Sequence, residues 1–151
     1  MTIDLEEINT RINRASSKLV FITGEEGTEY QKISYRRLAK KENYSYILFK
    51  ELLTALTTID GKLAQFPSIK DQLIALTSGF IIEEKSMGVI IDKFDFDIIK
   101  EVHLQLRIYH EFKSYLKDPT VKGKLVLVNY GKPLRDMFES DFIRKCSIVR
   151  I

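Results

Sequence analysis

The sequence has one cysteine, no tryptophan, three prolines and two histidines among its 151 residues. Each scarcity closes a route. With Cys146 alone there is no disulfide framework, and the chain suits a reducing compartment. His103 and His110 have no cysteine or carboxylate partner at matching spacing, so they read as surface or half-buried side chains rather than zinc ligands. No stretch of about 18 apolar residues occurs, so no segment is expected to span a membrane. The opening MTIDLEEINTRI carries acids and no apolar run, unlike a signal peptide. The expected location is the cytoplasm.

What is present is enough to build a core. The hydrophobic fraction of 44% is ordinary for a globular protein and lets a chain of this length fold as a single domain over residues 1–151. The net charge of +3 is too small to argue for nucleic acid by itself, so its distribution matters more. The segment KISYRRLAKK is basic, the region from Glu83 to Glu101 leans acidic, and the chain from Lys113 onward is basic again. Lys32, Arg36, Arg37, Lys40 and Lys41 are candidate phosphate contacts for a nucleic acid; a solvated helix face is the plainer reading. Tyr30, Tyr35, Tyr44 and Tyr46 interleave with these cations, where packing between a strand and a helix accounts for most of them.

Hydrophobic periodicity sets the organisation. Ile3, Leu5, Ile8 and Ile12 predict an amphipathic helix over 3–16, packed on the rest of the domain. Strands are expected at 18–23, 44–49, 87–91, 124–128 and 147–151, and helices at 30–42, 52–59, 69–76, 96–116 and 134–144. On the long helix, Ile99, Val102, Leu106, Tyr109 and Phe112 are expected to share the inward face. Strands alternating with helices predict an α/β fold of three layers, a mainly parallel sheet with helices on both faces. The continuous apolar runs KLVFI, GVII and KLVLV fit strands buried on both sides. The closing SIVRI is a candidate edge strand through which an oligomer could form.

The stretch KLVFITGEEGTEYQKI then raises a specific question: a strand runs into a glycine-containing loop and on into a helix. This layout resembles a P-loop NTPase of the AAA+ or RecA-like type. The resemblance puts Walker A at Gly24 to Gln31 and Walker B at Gly88 to Asp95, and gives Asn129 the place of a polar sensor. It also implies that Arg135 and Arg144 approach a phosphate. In length and in its first 48 residues the chain is similar to the stand-alone P-loop proteins of bacterial BREX phage-defence clusters and to ATPases that serve transposition.

The chemistry departs from that family. A working P-loop adds a lysine and a hydroxyl to its backbone N–H cradle. Here those slots hold Tyr30 and Gln31, and Glu29 before them would set a carboxylate beside a polyanion, costing at least about 1 kcal/mol even when well solvated. Lys32 comes two places late and, on a helix, points about 200° away from the slot. Asp92 keeps a magnesium-ligand type, but Lys93 replaces the carboxylate that would polarise the attacking water. The resemblance therefore implies no cofactor, or at most a weak hold on Mg-ATP through Gly24, Gly27, Thr28, Lys32 and Asn129 with Asp92 on the metal. The expected role is non-catalytic: a binding or regulatory subunit with a protein partner, in a DNA-processing or phage-defence assembly.

A rival reading uses other residues. Asp71, with Glu83 and Lys85 in a Glu-x-Lys pattern and Gln105 and Tyr109 in a Gln-x-x-x-Tyr pattern, resembles the core of PD-(D/E)xK nucleases. That resemblance implies a divalent metal on Asp71 and Glu83, and Lys85 activating water for phosphodiester cleavage. A third reading is a protein-interaction adaptor of some other α/β fold.

Overall fold

The computed structural model describes residues 5–24, 34–56, 88–100, 102–119, 123–130 and 133–151. Its elements are α1 (Leu5–Arg14), β1 (Leu19–Gly24), α2 (Tyr35–Glu42), β2 (Tyr44–Leu48), α3 (Phe49–Leu56), β3 (Gly88–Phe94), α4 (Val102–Lys117), β4 (Lys124–Tyr130), α5 (Ser140–Lys145) and β5 (Ser147–Arg150). The five strands form one sheet in the order β2-β3-β4-β1-β5, and every pairing is parallel. The helix expected over 69–76 lies outside the described residues.

The strand order fixes the layers. The connection from β1 to β2 runs one way along the sheet, and the connections through β3, β4 and β5 run back the other way. Parallel crossovers are right-handed, so α2 must lie on one face and α3, α4 and α5 on the other. The packing agrees. On the first face Ile8 and Ile12 of α1 and Tyr35, Leu38 and Ala39 of α2 meet Val20, Ile22, Ile90, Val126 and Val128. On the second face a largely aromatic layer of Phe49, Phe96, Phe112, Phe138 and Phe142 meets Phe21, Val89, Ile91, Leu125 and Leu127.

Local chemistry marks the element ends. The Ser34 hydroxyl accepts from Arg37 N at 3.2 Å and opens α2, and Asn43 closes it in the left-handed region (φ 63°) with its N–H on Ala39 O. Gly88 starts β3 at φ 140°, and a Cβ there would lie 2.0 Å from Lys124 O, so only glycine permits this approach of β3 to β4. The Lys124 ammonium donates to the carbonyls of Ile12, Asn13 and Ala15 at 2.5, 3.3 and 2.8 Å, which closes the end of α1.

Two expected helices are each broken. Residues 96–116 begin instead as a 3-10 turn, Phe96–Ile98, and α4 starts only at Val102. Asp95 caps the turn, accepting from Asp97 N at 2.9 Å. The break lets Ile99 enter the core and rephases α4, so its buried stripe is Ile108, Phe112 and Tyr115; Val102 and Leu106 are 64% and 59% exposed instead of inward. Residues 134–144 likewise divide into a 3-10 turn, Leu134–Asp136, and the short α5, with Phe138 buried between them. No helix among the described residues is long and apolar enough to cross a membrane.

Candidate functional site

Neighbouring strands β1 and β4 send their connections to opposite faces of the sheet. Loops that diverge this way leave a crevice beyond the strand C-termini, where open α/β sheets bind ligands. Three residues singled out in the sequence reach this edge. Gly24 ends β1 opposite Tyr130, Asn129 stands one step earlier on β4 between Thr23 and Phe94, and Asp92 lies near the end of β3 opposite Leu48. Asp92 and Asn129 are 5% and 2% exposed and are the polar members of the buried core among the described residues.

A bulge shapes this edge. The β3–β4 register shifts between Ile91 and Phe94, and Lys93 takes a left-handed conformation (φ 52°) with its side chain exposed. Such a conformation is uncommon for a residue other than glycine and costs on the order of 1 kcal/mol. The extra residue returns Phe94 to the aromatic face, where its ring lies 4.7 Å from Phe49, 5.6 Å from Phe96 and 6.0 Å from Phe112. Phe94 is thus what anchors the bulge, and the bulge is what presents Asp92.

The Asp92 carboxylate is already engaged. It accepts from Tyr46 Oη at 2.5 Å and from its own neighbour Lys93 N at 2.8 Å. The Arg36 guanidinium lies 4.7 Å from the Tyr46 ring centroid, close enough for a cation–π contact. Burial, then the hydrogen bond and charge of Asp92, push the Tyr46 phenol well above its ordinary range, with Arg36 pulling the other way. Tyr46 therefore stays protonated and keeps donating to Asp92. A magnesium ion usually keeps several waters and takes one or two protein carboxylates. Asp92 could supply one such oxygen, but only in competition with Tyr46. No cluster of three or more His, Cys, Asp or Glu able to hold a metal occurs among the described residues.

Other candidates fall elsewhere. Arg36, Arg37, Lys40 and Lys41 are all exposed on the outer face of α2, with 36 over 40 and 37 over 41 at one-turn spacing. Gly27, Thr28 and Lys32, the substituted slots Glu29 to Gln31, and the nuclease candidates Asp71, Glu83 and Lys85 lie outside the described residues. Gln105 donates to Ile99 O at 2.8 Å and holds the 3-10 turn against α4. The Tyr109 ring packs 5.3 Å from Phe138 and its hydroxyl accepts from Glu139 N. Arg135 is exposed after β4. Arg144 corrects an expectation: it pairs with Asp141 on α5 just before β5 begins, at the opposite end of the sheet from Asp92. His103 and His110 are exposed, and Cys146 is half-buried with its thiol pushed up to about 12 by burial.

Sequence reasoning missed Tyr46 as the partner of Asp92 and Arg36 as the partner of the Tyr46 ring. Their contact depends on the β2–β3 register and on where α2 sits, neither of which is written in local spacing. No protein-family model matches the chain, and no curated protein matches it either.

Proposed function

We propose that this chain is a catalytically degenerate relative of the P-loop NTPases that acts as a binding or regulatory subunit of a DNA-associated assembly. One observation carries the reading. An all-parallel sheet directs Gly24, Asp92 and Asn129 to a single edge at its switch point, while Asp92 is held by Tyr46 rather than left open. The Glu29-Tyr30-Gln31 sequence supports the loss of catalysis, since neither the lysine nor the hydroxyl of a phosphate loop is present. The exposed Arg36, Arg37, Lys40 and Lys41 support a polyanionic partner, because cations on one helix face bind phosphates together.

The test is a pair of variants read against Mg-ATP. The natural chain should release no phosphate from Mg-ATP and melt within a degree of its ligand-free value. Tyr30→Lys with Gln31→Thr should gain a rise of several degrees, since saturation to about 100 times the dissociation constant adds about 2.7 kcal/mol. Steady hydrolysis by the natural chain would overturn the loss of catalysis. A folded double variant that gains no nucleotide binding would overturn the P-loop geometry.

A further inference from the structure

The end of the sheet away from Asp92 holds a cavity of about 590 Å³ that the reading above does not use. It opens where three connections reach their strands: Ser16, Ser17 and Lys18 before β1, Lys113, Leu116 and Lys117 in the last turns of α4 before β4, and Phe142 and Lys145 on α5 before β5. Its size is that of pockets for small organic ligands.

The charge in this cavity is one-sided. Four lysines line it against two carboxylates, Glu139 and Asp141. One of the acids is committed elsewhere: Asp141 is paired with Arg144, while Glu139 is exposed and gives its backbone N–H to the Tyr109 hydroxyl. Two of the lysines are also held in place. Lys18 donates to Asp118 O, and its ammonium is pulled below the ordinary lysine range by burial, with the Asp118 carboxylate acting the other way. Lys113 lies 4.2 Å from the Tyr109 ring centroid. Lys117 and Lys145 are exposed and make no ion pair among the described residues. The wall between the cations is apolar, formed by Leu116 and Phe142.

We infer that this cavity binds a small organic phosphate. Its phosphate is held between Lys117 and Lys145, with the Ser16 and Ser17 hydroxyls within the same wall, and its carbon body lies on Leu116 and Phe142. Lysine is a natural phosphate binder as a point charge, and paired cations at the mouth of a partly apolar cleft raise the local concentration of anions. A bare inorganic anion would leave the apolar wall unused. A nucleic acid strand would use the surface cations but not the enclosed volume. The site is independent of the Asp92 edge, so either reading can fail without the other.

The probe is phenyl phosphate, titrated into the full chain by calorimetry and by amide NMR, with inorganic phosphate and benzyl alcohol alongside. Phenyl phosphate should bind at least tenfold more tightly than inorganic phosphate, and benzyl alcohol should not bind measurably. The amides of Ser16, Ser17 and Lys117 should shift on titration. Lys117→Glu with Lys145→Glu changes only exposed side chains and should reduce phenyl phosphate affinity at least tenfold, while the change Lys100→Glu, at an exposed residue after β3, leaves it unchanged. Equal binding of phenyl phosphate and inorganic phosphate would overturn the inference, as surface attraction of anions alone. So would undiminished binding in the Lys117/Lys145 variant, loss of binding in the Lys100 variant, or no binding of phenyl phosphate.

Discussion

The two ends of the sheet treat charge in opposite ways. At the strand C-termini a carboxylate and an amide, Asp92 and Asn129, are drawn into the core. At the strand N-termini lysines reach for backbone carbonyls: Lys124 for the end of α1, Lys18 for Asp118 just beyond α4. The reason lies in the architecture. In a parallel α/β sheet each helix runs back toward the start of the next strand, so helix C-termini and their partial negative charge collect at that end. Cations are favoured there. The opposite end, where helices begin, favours anions, and burying Asp92 among hydrogen-bond donors uses that preference for structure.

The comparison can be broken at either end. Phe94→Ala should have the largest effect, about 4 kcal/mol in urea unfolding, because it removes the ring at the centre of the aromatic face and frees the bulge beside Asp92. Gly88→Ala should follow at about 3 kcal/mol, from a strained backbone and a Cβ pressed onto Lys124 O across two strands. Asp92→Ala should cost about 2 kcal/mol by leaving the Tyr46 hydroxyl and Lys93 N–H unserved, and Tyr46→Phe about 1 kcal/mol. A double-mutant cycle of these two should show coupling; strict additivity would mean that the Tyr46–Asp92 bond contributes nothing.

Finer effects sharpen the contrast. Lys124→Met should cost about 1 kcal/mol, less than three carbonyl contacts suggest, because burial already pulls the Lys124 ammonium below its ordinary range. The smallest effect is alkaline. Burial raises the Tyr44 hydroxyl to about 12 and raises Tyr46 and Tyr115 as well, so above about pH 10 the unfolded chain loses protons that the folded one keeps. The stability these phenols contribute is complete below that pH and falls as pH rises through their folded values. Lys18 and Lys124, shifted down, act in the opposite sense and offset part of the loss. Melting temperature against pH from 8 to 12 should decline, and less steeply in Tyr46→Phe.

Much of the architecture was legible because the strands are apolar runs closed by polar residues. KLVFI ends at Thr23-Gly24, GVII at Asp92 and KLVLV at Asn129, which located both the strands and the residues at their C-terminal edge. The strand order was not legible, since periodicity says which residues are buried and nothing about which strand lies beside which. The face of α4 was misjudged because Val102 and Leu106 match the inward spacing; the phase is reset by the break at Ile99, held by the Gln105 side chain. The Arg36–Tyr46–Asp92 chain joins three elements, and no local pattern announces such a contact.

The interior position of β1, between β4 and β5, has a consequence for how the chain is made. Its sheet neighbours are β4 and β5, with Leu19 paired to Leu125 and Val20 to Ser147. A ribosome adding about 5–20 residues per second therefore presents Leu19-Val20-Phe21-Ile22 on the order of ten seconds before either neighbour has been synthesised. During that interval the nascent strand has no native edge to join, and non-local pairings of this kind form slowly. An interior strand of the finished sheet is thus, in the newborn polypeptide, an apolar segment that must wait for both of its neighbours.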